Sequence, residues 1–277
     1  MLATAAQAAR QQAGPPGVPC EFMLTTHKPF FLAKTDVPLF VADQNLSGRA
    51  TLPRALGPWA LDSGGFMQLK HADEQRPHTF GSPPGWRFTV LEYLERVARY
   101  QDQIGQLKWA SPMDYMCEEN IRRATGFSTY VHQHLTIENY VQALELWPRA
   151  GDGPCPVIPV LQGWAGYEYL RHEEMYKDAG FDLTTFPVVG LGSICRRSKT
   201  TSILRIVTEL SHLRLHGFGV KRTGLPMYGR MLVSADSAAW SFDARYEPPI
   251  EGHTHQHCNN CLEYALNWRS RTVASLN

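Results

Sequence analysis

The sequence predicts an α/β protein, specifically a TIM-like (β/α)8 barrel with a small zinc-binding segment near the C-terminus. Two observations favour the barrel: short apolar runs alternate with stretches of helical periodicity, and polar residues follow several of these runs. A length of 277 residues and a hydrophobic content of 43% allow one large core. A histidine and cysteine cluster near residues 250–265 predicts the zinc-binding segment.

Charge and hydropathy exclude two broad classes of protein. The formal net charge is +1, so overall charge does not mark a nucleic-acid-binding protein, and such contacts must come from local clusters. No apolar run approaches the roughly 18 residues of a membrane-spanning helix, so we expect no membrane partner. The six cysteines are too scattered for a disulfide framework, which favours a cytoplasmic location.

The chain is predicted to form one ordered domain, residues 20–277, behind a disordered leader. Residues 1–19 are rich in Ala, Gln, Gly and Pro and lack the charged start and continuous apolar segment of a signal peptide. The first half of the domain is predicted to hold four strands, one amphipathic helix and a long polar loop that is suited to binding. These are strands 21–26, 38–42, 59–61 and 107–113, loop 71–87 and helix 88–104.

The second half shows a clearer alternation of strands and helices, which implies right-handed βαβ units and a parallel sheet. Thr136 is predicted to cap the first of these helices, two residues before Glu138. About eight candidate strands in one domain favour a barrel over an open sheet. The predicted elements are helices 136–147, 167–179 and 200–213 and strands 156–161, 186–191, 215–220 and 231–234.

Polar residues or glycines lie just past the carboxyl ends of five predicted strands. In a barrel these ends converge on one face, where active sites are built. A single polar residue after a strand is usually a helix cap or part of a turn, but five such ends favour a shared pocket. The five residues are Asp62, Asp114, Gln162, Gly192 and Asp236.

Three aspartates in one pocket suit glycosyl transfer with retention. One carboxylate attacks the sugar, a second transfers the proton, and a third reads donor groups on a ligand. A carboxylate beside a glutamine amide matches a guanine-like edge, which presents both donors and an acceptor.

The order of these motifs resembles the tRNA-guanine transglycosylase superfamily, although each motif is short. The resemblance runs from Asp62 to the C-terminal cluster. The matching segments are Asp-Ser-Gly-Gly-Phe from Asp62, Ser-Pro-Met-Asp ending at Asp114, Leu-Gln-Gly around Gln162, Gly-Leu-Gly ending at Gly192, His-Gly-Phe-Gly-Val from His216 and Asp-Ser-Ala-Ala from Asp236.

The resemblance implies a role for each matched residue. Asp236 would attack C1′ of a nucleoside, and Asp62 would act as the general acid and base. Phe66 would stack on one face of the base, and His216 occupies the position that covers the other face. Asp114, Gln162 and the backbone around Gly163 and Gly192 would hold a guanine or 7-deazaguanine.

The short deazapurine-in-DNA branch of the superfamily is the most similar, because the tRNA enzymes are typically longer and archaeal ones carry an appended RNA-binding domain. This branch implies replacement of guanine in DNA by a 7-deazaguanine in a bacterial or phage-infected cell, with a homo-oligomer or helper proteins left open. The alternatives are action on tRNA, a non-catalytic partner subunit, which the presence of Asp62 and Asp236 disfavours, and a zinc-dependent barrel hydrolase.

The C-terminal cluster has the spacing of a tetrahedral zinc site. The family carries Cys-x-Cys-x-x-Cys with a later His, and here imidazoles replace two of the thiolates. Four protein ligands leave no open position, so the Zn2+ is expected to be structural. The predicted ligands are His253, His255, Cys258 and Cys261, with His257 competing for one position and unligated side chains as the alternative.

Basic residues follow the strand that ends before Gly192 and precede a predicted helix. Backbone N–H groups, the helix dipole and guanidinium groups can meet a phosphate there, although a solvated surface is the ordinary alternative. The predicted nucleic-acid-binding residues are Arg196, Arg197 and Lys199.

Overall fold

The computed structural model describes residues 20–72, 80–195, 197 and 200–276, so the predicted leader, residues 1–19, lies outside the described residues. Within the described residues, eight strands form one parallel sheet. Their bounds are β1 Glu21–Thr26, β2 Leu39–Ala42, β3 Trp59–Asp62, β4 Leu107–Ala110, β5 Val160–Leu161, β6 Val189–Leu191, β7 Leu215–Gly217 and β8 Ser234–Ser237.

The sheet is curled, and its strands pair in the order β4-β3-β2-β1-β8-β7-β6-β5. β4 and the segment just before β5, at the two ends of this order, approach each other through an isolated parallel bridge between Ala110 and Val157. Two hydrogen bonds support the bridge: Ala110 N donates to Pro156 O at 2.9 Å, and Ile158 N donates to Ala110 O at 3.0 Å. The predicted α/β class and parallel sheet are confirmed.

Helices follow most of the strands, and no described helix combines the length and apolar character that crossing a membrane requires. The predicted helix at residues 88–104 is confirmed; Thr89 caps it, accepting from Glu92 N at 3.1 Å while Glu92 Oε2 accepts from Thr89 N at 2.6 Å. The described helices are α1 Gly65–Leu69, α2 Val90–Gln103, α3 Glu119–Thr125, α4 Thr129–Ala150, α5 Gly166–Asp178, α6 Thr200–Glu209, α7 Leu225–Tyr228, α8 Ala239–Asp243 and α9 Leu262–Ala274.

Alternation along the strands divides the apolar core into two clusters. The larger cluster joins strand residues such as Leu24, Val41 and Leu61 to helix residues such as Val97. The side chains one position earlier on the same strands point to the other face, because successive strand residues alternate. They form a smaller cluster inside the curl: Met23, Phe40 and Ala60 with Trp109 and Ile158.

The predicted N-cap at Thr136 is wrong, because α4 begins seven residues earlier at Thr129. Ser128 caps the helix, and its hydroxyl accepts from Val131 N at 3.3 Å. Thr136 is buried in mid-helix and its hydroxyl donates to His132 O at 2.8 Å. Polar residues such as His132 occupy the buried face of this helix, so an apolar periodicity does not mark its first turns.

Strand β8 also differs from the prediction. The sequence places a strand at residues 231–234 with Asp236 beyond it, whereas the structure has a 3-10 turn at Gly229–Met231 and the strand at Ser234–Ser237. Asp236 therefore lies within β8 and pairs in register with Met23 of β1. This backbone pairing fixes the position of Asp236 more firmly than a loop would.

A buried ion pair fixes the segment after β2 to α2. Asp43 accepts from Arg96 Nη2 at 2.9 Å and from Tyr100 OH at 2.8 Å. Asp43 is only 3% exposed, so water screens its charge weakly. That charge helps to raise the pKa of Asp62 at the end of β3.

Candidate active site and metal centre

A cavity of about 370 Å³ opens at the carboxyl ends of the strands. Five residues that the sequence assigns to one pocket all line it. They are Asp62, Asp114, Gln162, Gly192 and Asp236. Phe66 lines it as well, together with Thr25, Glu118, Ser193 and Phe218, for which the sequence suggested no role.

Asp236 is held by three donors from three different elements. The hydroxyl of Thr25, in β1, donates to Oδ2. The backbone N–H of Gly219 donates to Oδ1 at 2.9 Å, and the His216 Nε2 lies 3.3 Å from the same oxygen. Gly219 has a φ of +60°, a left-handed conformation that favours glycine and that directs its N–H at the carboxylate. This arrangement orients a carboxylate that is only 3% exposed.

His216 lies beneath Asp236 instead of covering a base. Its ring is fully buried against Phe40, Trp109 and Phe218, and its Nδ1 lies 2.8 Å from the hydroxyl of Ser234. Because a carboxylate oxygen accepts hydrogen bonds, Nε2 is the donor in the contact with Asp236. The difference from the prediction has a simple cause: His216 is inside β7, whereas Phe218 follows the strand and lines the cavity.

Asp62, the last residue of β3, keeps its proton more readily than an ordinary aspartate. Its pKa is raised from 3.8 to about 6, chiefly by burial and also by the charges of Asp236 and Asp43, while a hydrogen bond from Gly64 N opposes the rise. Near neutral pH this carboxyl can therefore both give and take a proton.

Asp114 and Gln162 are bonded to each other, with the Gln162 Nε2 donating to Asp114 Oδ2. Burial raises the pKa of Asp114 from 3.8 to about 7, with the charge of Asp62 adding to the effect and the Gln162 hydrogen bond opposing it. Gly192 leaves room for this pair, because a Cβ at Gly192 would lie 2.2 Å from Gln162 Nε2.

Arg197, one of the predicted nucleic-acid-binding residues, donates to protein acceptors in the structure. It is 8% exposed, and its guanidinium donates to Gly163 O at 3.3 Å, to Ser193 O at 2.9 Å and to Tyr169 OH at 3.0 Å. These bonds join the loops after β5 and β6 and fix the backbone of Gly163 beside Gln162. Arg196 and Lys199 lie outside the described residues.

The cluster of His253, His255, Cys258 and Cys261 could bind a metal ion such as zinc, since its ligand atoms all lie within 4.8 Å of one another. The His255 Nε2 is 3.1 Å from Cys258 Sγ, and the His253 Nδ1 is 3.7 Å from Cys261 Sγ. Ligands about 2.0–2.3 Å from a tetrahedral zinc lie about 3.3–3.8 Å apart; the separation of 3.7 Å falls in this range and the separation of 3.1 Å lies just below it. His257 is exposed and is not in the cluster.

The metal cluster is tied by hydrogen bonds to the segments that follow β1 and β8, and its residues do not line the cavity. Asn260, between the two cysteines, accepts from His27 Nε2 at 2.7 Å, just past β1. The Ser241 hydroxyl, in α8, donates to Asn259 O at 2.9 Å. The His253 Nε2 lies 3.2 Å from a carboxylate oxygen of Glu263, the usual partner of a zinc-bound imidazole. A metal here would brace the segment that follows Asp236.

A family model described as DpdA, DeoxyPurine in DNA protein A, matches residues 19–277, nearly the whole chain and every element of the site. The chain belongs to the DpdA family. Membership in the DpdA family implies a transglycosylase that acts in the deazapurine modification of DNA. No curated protein matches the chain.

The raised pKa of Asp114 predicts a pH-dependent effect of Asp114→Asn. The pKa of Asp114 is about 7 in the folded protein and 3.8 in the unfolded chain, so the folded state binds this proton more tightly. The resulting contribution to the free energy of unfolding is complete below pH 3.8 and is lost as the pH rises through 7. Because Asn does not titrate, the free energy of unfolding of the variant relative to wild type should rise between about pH 5 and about pH 8. Urea unfolding measures this free energy, and the exposed Asp152→Asn is the control. An equal difference between Asp114→Asn and wild type at both pH values would contradict the raised pKa of Asp114.

Removing a metal ligand should release the ion and destabilise the C-terminal segment. Purified protein is expected to carry about one zinc per chain, and Cys258→Ser or His255→Ala should lose most of it and melt at lower temperature. His257→Ala is the matched control and should keep the metal. Metal analysis of the purified proteins decides; loss in His257→Ala with retention in His255→Ala would exchange the two assignments.

Proposed function

We propose that the protein exchanges guanine in DNA for a 7-deazaguanine through a covalent aspartyl–sugar intermediate, within a closed (β/α)8 barrel. One observation carries the proposal: two carboxylates with different surroundings, Asp62 and Asp236, line one cavity in a chain of the DpdA family. Asp236 accepts several hydrogen bonds that orient it as the nucleophile, and Asp62 has the raised pKa of an acid.

The reaction takes two displacements at C1′. Asp236 forms a bond to C1′ as the C1′–N9 bond breaks, and the guanine leaves with the electron pair of that bond and takes a proton from Asp62. The incoming 7-deazaguanine then loses its N9 proton to Asp62, and its N9 forms a bond to C1′ while the ester to Asp236 breaks. Two inversions give retention, as in glycosidases that use a carboxylate nucleophile.

The base would be held at the end of the cavity formed by Asp114 and Gln162, next to the backbone of Gly163 and Gly192. Asp114 and the Gln162 amide supply acceptors and a donor for the guanine edge. Phe66 and Phe218 line the same cavity and would flank the ring. His216 would act through Asp236, and phosphate binding by Arg196 and Lys199 remains a prediction from the sequence.

The alternatives fit the cavity less well. A non-catalytic subunit would not need Asp62 and Asp236 to share one cavity. A zinc hydrolase would hold its metal among the cavity residues, whereas the His253 cluster is outside the set of residues that line it. A cytoplasmic location and any helper protein stay predictions.

The test is base exchange by wild type and Asp236→Asn, followed by nucleoside mass spectrometry of duplex DNA and of tRNA given a labelled 7-deazaguanine. We expect label in DNA with wild type and a loss of at least about 1000-fold with the variant, since the amide is a poor nucleophile. Asp152→Asn, on the surface, is the control. Label in tRNA alone would reassign the substrate, and full activity of Asp236→Asn would reject the nucleophile.

A further inference from the structure

Trp164 differs from the other tryptophans of the chain in its exposure. All seven tryptophans lie in the described residues, and six of them are at most 4% exposed, whereas Trp164 is 39% exposed. Tryptophan carries a large apolar surface, so leaving it in water forgoes the free energy that burial would supply. An exposed tryptophan that is held in a fixed position is therefore a candidate for contact with a ligand.

The chain places Trp164 beside the mouth of the cavity. Strand β5 ends at Leu161, and the next residue, Gln162, lines the cavity. Trp164 follows two positions later and precedes α5, so it lies on the side of the sheet where the cavity opens. It is not among the residues that line the cavity.

The backbone of Trp164 is fixed by a buried carboxylate. Glu168 is 9% exposed, and its Oε2 accepts from Trp164 N at 2.6 Å and from Ala165 N at 2.8 Å. Gln133 Nε2 donates to Glu168 O at 2.7 Å and to Gln162 O at 2.6 Å, so the start of α5 is tied to the end of β5. These bonds fix the position of Trp164 relative to the cavity residue Gln162.

The indole ring is also held in place, and one of its faces is covered. The Arg197 guanidinium carbon lies 4.6 Å from the centre of the Trp164 ring, as expected of a cation attracted to the face of an indole. Arg197 in turn donates to Gly163 O and to Ser193 O, and Ser193 lines the cavity. The exposed part of the ring is then its other face and its edges. Such a flat apolar surface suits stacking on a nucleobase.

Base exchange in a duplex creates a need for such a surface. The target guanine has to leave the helix to enter the cavity, which costs its stacking and its pairing and leaves a gap between the neighbouring base pairs. Proteins that open a base step insert apolar side chains into it. The residues that line the cavity would hold the extruded base, so the gap has to be filled from outside the cavity. Trp164 lies outside it and beside its mouth.

We propose that Trp164 stacks in the gap left by the extruded guanine and so holds the duplex open during base exchange. This inference rests on the proposed function. The partner is double-stranded DNA, and the contact tolerates any neighbouring sequence, because every base has a face on which an aromatic ring can stack. Arg197 is a positioning residue that holds the indole from the face that does not meet the DNA.

Two duplexes that differ at one position test the proposal. In one the target guanine is paired with cytosine, and in the other it lies opposite an abasic site, so it leaves the helix more easily. For incorporation of a labelled 7-deazaguanine, Trp164→Ala should lower kcat/KM about tenfold or more with the paired duplex and less than about threefold with the other, since stacking on a base is lost. Trp164→Phe keeps an aromatic ring and should retain most of the activity with both.

Leu56→Ala is the matched control. It also removes an exposed apolar side chain, which is 60% exposed, but Leu56 precedes β3 and lies at the end of the sheet opposite the cavity. This variant should exchange bases in both duplexes at the wild-type rate. Because each variant is compared with itself on two duplexes, a partly unfolded preparation does not alter the ratio.

Failure of this inference is distinguishable from failure of the proposed function. An equal loss of activity with both duplexes, or no loss with Trp164→Ala, would overturn the role of Trp164 while leaving base exchange in place. If wild type modifies no DNA, the proposed function fails, and binding of a duplex with an abasic site in place of one guanine tests Trp164 by itself. Wild type should bind that duplex more tightly than the intact one, with quenching of its tryptophan fluorescence. Equal affinity of wild type and Trp164→Ala for the abasic duplex would overturn the proposal.

Discussion

Negative charge held out of water is the constraint on which the site depends. Four carboxylates line one cavity, and none of the described residues lining it carries a positive charge. Burial and mutual repulsion raise the pKa of Asp62 and of Asp114, while neutral donors from a strand and a loop stabilise Asp236. Only a fold that brings many chain segments to one point can supply so many donors, and a curled parallel sheet does so at its carboxyl ends.

Different surroundings suit two similar carboxylates to the different tasks that we propose for them. Asp236 receives hydrogen bonds from Thr25 and Gly219 and a contact from His216, and these contacts fix its orientation for the proposed attack on the sugar. Asp62 receives a hydrogen bond from Gly64, and its pKa of about 6 suits transfer of a proton near neutral pH. The segment of the His253 cluster is hydrogen-bonded to His27, just past β1, and to Ser241 in α8, and its four candidate ligands do not line the cavity.

The sequence predicted five of the residues that line the cavity, because that prediction required only the positions of the strand ends. Asp62 and Gln162 could be found from an apolar run followed by a polar residue, whatever the details of the packing. Glu118 could not, because it lies in an irregular segment with no periodicity. Thr25 is one residue before the end of β1, so a search for residues just past the strands overlooks it, although a search of the last strand residues would find it. His216 and Arg197 were predicted to meet a ligand, but their contacts within the protein depend on tertiary packing that no local pattern encodes.

In the proposed reaction, Asp236 forms the covalent bond to the sugar. Wild-type protein should be mixed with target DNA without an incoming base and quenched with acid, and the adduct should be digested and mapped by mass spectrometry. A deoxyribose adduct on the peptide that contains Asp236, absent from Asp236→Asn, is the predicted result. An adduct on Asp62, or base exchange in wild type with no adduct at any carboxylate, would contradict the account.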